Sequence, residues 1–178
     1  MAQIVLKIPT NSSGSSWIEG VCDIAGYETY LPVESASYSI TGDFDEVRRR
    51  PSGPPTVSEM TITRKVDLNT TDITKAMLYG TVNSAPWELC FFRSIGGGPV
   101  QEDTYVTRHL LYLTLSMANP LVTSQKFDLD EGKLTETLAV SASAFEWVYT
   151  SYDADNDPVG NIVFDFDVQA QTEDTTDC

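Results

Sequence analysis

Apolar and polar residues alternate along most of this chain with a period of two, the spacing of strands rather than helices. Ile4 to Ile8 form a short apolar run, stopped by Pro9 and the polar stretch Asn11 to Ser16. Trp17 to Leu31 reads as a second strand region, interrupted at Gly20 and Gly26 by a bulge or bend. Thr56 to Val66, Trp87 to Arg93 and Thr104 to Met117 are further strand-like segments, the last two joined by a loop holding Gly96 to Pro99. Leu121 to Phe127 and Leu134 to Tyr152 follow, separated by an acidic turn, Asp128 to Gly132. In the last segment Ile162, Phe164, Phe166 and Val168 alternate with Val163, Asp165 and Asp167, the cleanest half-buried pattern in the chain.

One segment has the other period. Ile73, Ala76 and Met77 share a face at helical spacing, Asn69 or Thr70 supplies a cap, Asp72 sits in the first turn and Gly80 closes the end. A helix of about ten residues does not stand alone in water, so it must pack on the sheet. Between the second and third strand regions lies Pro32 to Pro55, too long for an ordinary connection, and therefore functional or disordered. The polar tail Gln171 to Cys178 is expected to fray. The pattern as a whole predicts a β-barrel or sandwich with one helix.

Composition narrows the function classes. The 178 residues suit one domain or at most two small ones, and 41% hydrophobic with 21% charged residues excludes wholesale disorder. No apolar run reaches the roughly 18 residues of a membrane-spanning helix, and Met1 to Lys7 lacks the basic and apolar regions of a secretory signal. With 26 acids against 11 lysines and arginines the formal charge is −15, which disfavours nucleic acid as a partner. The basic cluster Arg48, Arg49 and Arg50 lies beside Asp43, Asp45 and Glu46 and reads first as solvated or locally paired. Cys22, Cys90 and Cys178 show no metal or disulfide spacing; the first two read as small buried hydrophobes and the third as exposed, a pattern that suits a reducing compartment.

Candidate chemistry is sparse. The single histidine, His109, lies in a strand with no GxSxG elbow in the sequence, and reads as structural or interfacial. Asp153, Asp155 and Asp157 resemble the opening of a calcium loop, but Pro158 stands where the sharp turn needs Gly and Phe164 where the bidentate Glu belongs, so a solvated turn is expected. Gly96 to Pro99 lacks the Lys and following helix of a phosphate cradle. Glycoside hydrolysis needs two carboxylates roughly 5–9.5 Å apart. Trp17, Trp87 and Trp147 offer stacking platforms for sugars, but each lies in an alternating run where core or interface is the default. No catalytic, cofactor or metal site is assigned, and the chain is expected not to be an enzyme.

The order of segments resembles the haemolysin-coregulated protein (Hcp) family, the tube subunit of bacterial type VI secretion systems. Ala2 to Ile8 is similar to the family's first strand, and Trp17-Ile18-Glu19 to the start of its second, with Gly20 replacing the usual apolar residue. Val57 to Asp67 followed by Thr70 to Tyr79 looks like its strand, acidic residue and small helix. Leu134-Thr135-Glu136 matches the "LTE" before its aromatic strand, and Pro158-Val159-Gly160 its final hairpin. The family's Gly-rich segment in the long loop is here an acidic, Arg-bearing stretch.

The resemblance implies a compact β-barrel with one short flanking α-helix, a single domain over residues 1–170, and an acidic flexible tail over 171–178. It implies hexameric rings that stack into a tube inside a contractile machine with spike and sheath proteins, carry effectors in the lumen, and leave the cytoplasm through the apparatus without a signal peptide. The long loop 32–55 becomes an assembly arm, with Tyr38, Ile40, Phe44 and Val47 as its apolar contacts. Arg48, Arg49 and Arg50 would meet an acidic patch such as Asp153, Asp155 and Asp157 on the next ring. No cofactor, nucleic acid or membrane insertion is implied. The reading from a different class is a secreted or surface β-sandwich module that binds carbohydrate or protein.

Overall fold

A computed structural model describes residues 3–9, 17–80, 85–95 and 108–168. The loop Gly96 to Pro99, the tail Gln171 to Cys178 and the start of the segment read from Thr104 lie outside the described residues. Among those described, the elements in chain order are β1 (Gln3–Pro9), β2 (Trp17–Ile18), β3 (Leu31–Val33), β4 (Ser35–Ser37), β5 (Ile40–Thr41), β6 (Phe44–Asp45), β7 (Arg50–Pro51), β8 (Thr56–Val57), β9 (Met60–Lys65), α1 (Thr70–Leu78), β10 (Trp87–Ile95), β11 (Arg108–Ala118), β12 (Leu121–Asp130), β13 (Lys133–Ser141), β14 (Ala144–Tyr152) and β15 (Pro158–Asp167).

Two sheets carry the body. A seven-stranded sheet runs β15-β14-β11-β10-β1-β2, with β3 also paired to β1, and a four-stranded sheet runs β12-β13-β9-β4. The chain changes sheet at four places, one of them from β9 through α1 to β10. Between β3 and β4 the Glu34 amide donates to the Thr63 carbonyl at 2.8 Å. Asn119, at φ 46°, turns the chain from β11 into β12, and Ser143 brings it back from β13 to β14 with its amide 3.0 Å from the Ala118 oxygen. That corner splits the segment Leu134 to Tyr152 into two strands in different sheets. The class is the expected one, mainly β with one short helix, but the hydrogen-bonded ladders do not close into one continuous barrel.

The core lies between the sheets. Leu6, Ile8, Trp87, Leu89, Leu115, Met117 and Phe145 from the larger sheet meet Met60, Ile62, Val122, Leu138 and Val140 from the smaller. These are the alternate positions of their strands, so period two places them all on one face of each sheet. A second, smaller core covers part of the opposite face of the larger sheet, where Ile24, Tyr27 and Tyr30 pack over Val5, Cys90 and Phe92. The intervening segment 19–30 is turns rather than strand, which corrects the sequence reading beyond Ile18. Gly20 departs from the family pattern for a steric reason: a Cβ there would sit 2.3 Å from the Tyr30 carbonyl oxygen.

Beneath α1 the smaller sheet holds a buried polar cluster. Arg64 is 1% exposed and Glu136 fully buried, and Arg64 Nη1 donates to Glu136 Oε1 at 2.6 Å. The same carboxylate oxygen accepts from Thr70 Oγ1 at 2.8 Å, and Oε2 accepts from Gln125 Nε2 at 2.7 Å. Arg64 also pairs with Asp67 through Nη2. A buried charge is tolerable only when paired and hydrogen-bonded, and here four elements supply the partners. The helix follows the predicted face, with Ile73 buried and Met77 packed on the core. Its cap differs: the Asn69 side chain donates to the Glu19 carbonyl at 2.8 Å instead, while Thr70 Oγ1 receives the Asp67 amide at 3.2 Å. Gly80, at φ 59°, closes the helix as expected.

Candidate assembly surface

Residues 39–58 form a projecting two-stranded arm. Ile40 and Thr41 pair with Val57 and Thr56, and further out Phe44 and Asp45 pair with Pro51 and Arg50. Ser58 N to Ser39 O at 2.8 Å closes the root, Ser52 N to Asp43 O at 2.9 Å holds the middle. At the tip, Asp45 Oδ1 accepts from the amides of Val47 and Arg48 at 3.0 and 2.9 Å. The long segment is therefore structured: its first part, β3 and β4, belongs to the two sheets, and only the remainder is arm. Ile40 and Val47 face solvent, Val47 at 94% exposure.

The root is fixed differently. The Tyr38 hydroxyl accepts from Trp147 Nε1 at 2.8 Å, and the two rings lie 6.2 Å apart. Tyr38 thus docks on its own chain's larger sheet while keeping part of its surface outside. Arg48, Arg49 and Arg50 are exposed at the tip, with only a loose 3.8 Å approach of Arg48 Nε to Asp45. Asp153, Asp155 and Asp157 close the β14–β15 hairpin at the far end of the larger sheet. Asp153 Oδ1 accepts from the amides of Asp155 and Asp157, both at 2.9 Å, and Asn156 adopts φ 64°. This is a self-bonded turn. No ion pair joins it to the arginines within the chain among the described residues.

The strongest surface feature is the strand that the sequence predicts to be half-buried. Ile162, Phe164 and Phe166 pair with Tyr149, Trp147 and Phe145 across the β14–β15 ladder, on the face that borders the core. The alternation is real but the smaller sheet does not reach that far: Ile162 is 67% exposed, Phe164 49% and Tyr149 48%. Among the described residues β15 is also the edge strand of its sheet. A ten-residue exposed edge with apolar side chains is a template for pairing with another chain. Solvent exposure follows from what covers a strand, which periodicity alone does not encode.

The remaining candidates are structural. His109 pairs in register with Ser94 and lies 3.3 Å from its hydroxyl through Nδ1. Trp87 is core, and Trp147 is enclosed by Tyr38, Phe145 and Phe164. Burial pushes the Cys90 thiol up to about 11 and raises the half-buried Cys22 thiol, so neither is an activated nucleophile. Among the described residues no three His, Cys, Asp or Glu side chains are placed to hold a metal ion, and no helix is long and apolar enough to cross a membrane.

Comparison with known proteins bears on this surface. The model of the family "Type VI secretion system effector, Hcp" matches residues 6–149. Among solved structures, one titled as a type six secretion system protein superposes with a TM-score of 0.77 at 13% identity, covering 97% of this chain and 99% of its own. Hcp1 from the E. coli EAEC 042 pathovar, in mutant form, gives 0.70 at 14% identity, covering 93% and 98%. Hcp1 from Salmonella typhimurium gives 0.68 at 18%, covering 97% and 98%. At these identities the superpositions speak for the fold. Among curated proteins there is no match.

Proposed function

This chain belongs to the Hcp family of type VI secretion system effectors, and from that premise we propose that it is a structural subunit of the secretion tube. Six copies close into a ring and rings stack into the tube. Spike and sheath proteins of the contractile machine are its partners, the lumen takes effector cargo, and the subunit travels from cytoplasm to exterior with the expelled tube. Residues 1–170 act as one unit in this reading, with the arm as the assembly device and no enzymatic role.

The observation that carries it is the β14–β15 hairpin. Its apolar side, Tyr149, Ile162 and Phe164, is left open among the described residues, at the sheet edge and near the arm root at Tyr38. A cyclic ring needs two different surfaces on each copy that fit one another, and a stable contact buries on the order of 1,200–2,000 Å² in total. Light scattering of the purified chain should return a mass near six times 19.6 kDa. Ile162→Asp combined with Phe164→Asp should return folded monomer. A wild-type protein that stays monomeric at high micromolar concentration and moderate salt would overturn the reading.

A further inference from the structure

The ladder between β11 and β14 stops short of the end of either strand. It runs from Ala118 opposite Ala144 to Leu113 opposite Tyr149, and there Tyr112 drops out of register as the extra residue of a bulge against β10. Beyond that point β14 follows β15 and β11 follows β10, and the strands part around a slot of about 390 Å³. The Tyr152 hydroxyl reaches across and donates to the Leu111 carbonyl at 2.6 Å. That bond fixes the Tyr152 ring, and the Arg93 guanidinium from β10 lies over it, 5.4 Å from the ring centre. Tyr112, Tyr149, Ser94 and Thr150 are among the walls. None of the lining residues is acidic, in a chain of formal charge −15. Arg93 is exposed and makes no ion pair among the described residues. The acid that follows Tyr152 in the chain, Asp153, has its Oδ1 bound to two amides of its own turn.

We propose that this slot binds a small carboxylate ligand, of the size of one amino acid or one acidic sugar, with its carboxylate on Arg93. A guanidinium stacked on a ring keeps its edge N–H groups free, and that edge matches a planar carboxylate through two parallel hydrogen bonds. The tyrosine rings suit the body of the ligand behind its charge, and Ser94 and Thr150 offer hydroxyls to its polar atoms. The volume falls at the small end of ligand sites, which fits a molecule of that size. One guanidinium neutralises one charge, and the field of an acidic chain repels a dianion twice as strongly as a monoanion. A carboxylate is therefore favoured over a phosphate. The site is separate from the proposed assembly device: it draws nothing from the arm, and of the open hairpin side it shares Tyr149 alone.

Saturation-transfer NMR and calorimetry on the purified wild-type protein at about 0.05 M salt test it. The probes are N-acetyltyrosine and glucuronate, each against its uncharged counterpart, N-acetyltyrosine amide and glucose, with inorganic phosphate as the dianion. At least one carboxylate should saturate with a dissociation constant of about 1 mM or tighter, roughly tenfold below that of its counterpart. Tighter binding of N-acetyltyrosine assigns the slot to peptide carboxyl ends, and tighter binding of glucuronate to acidic sugars. Arg93→Met, which keeps the length of an exposed side chain but not its charge, should weaken binding roughly tenfold or more. Arg93→Lys, which keeps the charge but not the fork, should weaken it about threefold or more. Arg48→Met, at an exposed arginine elsewhere, should leave it unchanged. Four results would each overturn the proposal: no saturation by either carboxylate up to about 10 mM, equal binding of acid and uncharged counterpart, phosphate bound more tightly than both carboxylates, or an affinity indifferent to Arg93. Each leaves the tube reading standing, because the mass of the assembly is measured separately.

Discussion

Glu136 ties the helix to the smaller sheet. Its carboxylate receives Arg64, Thr70 and Gln125, which belong to three different elements. Removing one member of a buried ion pair leaves the other uncompensated, so Glu136→Ala should cost about 3–5 kcal/mol in urea unfolding. Replacing both members, Arg64→Met with Glu136→Leu, should cost less than the two single changes added together. Cys90 gives a pH signature. Burial raises its thiol from 9.0 to about 11, so the folded state holds a proton that the unfolded chain releases earlier. Its contribution is complete below pH 9 and is lost as pH rises toward 11, on the order of 2–3 kcal/mol. Denaturation between these pH values should show a shallower alkaline loss in Cys90→Val than in wild type; equal slopes would assign the loss to Tyr30, which burial lifts to about 12, and Tyr27. In the sequence, Glu136 was legible only as part of the "LTE" match. A glutamate in an alternating strand reads as a solvent position until its buried partner Arg64, 72 residues away, is known.

Among the elements, the strands bearing the core were legible because each buries every second residue against one partner layer. The helix was legible for the same reason at its own period. What the pattern left out were partners and limits. The turn after β12 shrinks from the acidic run to Glu131 and Gly132, both at positive φ, a tight hairpin that lets Asp128 to Asp130 stay in the strand. The arm was legible as too long and too apolar for a slack loop, but its start was placed too early, because β3 and β4 are structural. Cutting the chain at Ser39 and Ser58, already hydrogen-bonded to each other, and joining them by a short Gly-rich turn should therefore spare the body. Stability of the shortened protein should lie within about 1–2 kcal/mol of wild type, since among the described residues removed only Val57 packs, partly buried, against the core. Ring stacking should fall. A shortened protein that stacked normally would show that the arm has no part in assembly.

For the whole molecule, charge is the dominant fact. In the proposed ring, six copies (6 × −15) would carry a formal −90, which would oppose bringing rings together. Screening shortens this repulsion from about 30 Å at 0.01 M salt to about 3 Å at 1 M. Direct contacts between the proposed rings, those of the exposed arm arginines among them, work at much shorter range and weaken only at the upper end. Stacking followed by sedimentation should therefore rise with salt, pass through a maximum and decline. A variant with Arg48→Glu, Arg49→Glu and Arg50→Glu should lack the maximum. A monotonic fall from the lowest salt would mean that attraction, not self-repulsion, governs the approach of rings.

The pairing of β1 with β10 also sets a timetable. Lys7 and Glu88 are 81 residues apart in the chain, yet their strands lie side by side. At roughly 5–20 residues per second of synthesis, several seconds pass between emergence of the first strand and that of its main neighbour. In that interval β3 and β2 reach only one side of β1. The nascent chain thus carries an open apolar flank at its beginning until half of it has been made. Slowing translation just before Trp87 should lengthen that exposure and make the newborn subunit more dependent on holdase chaperones.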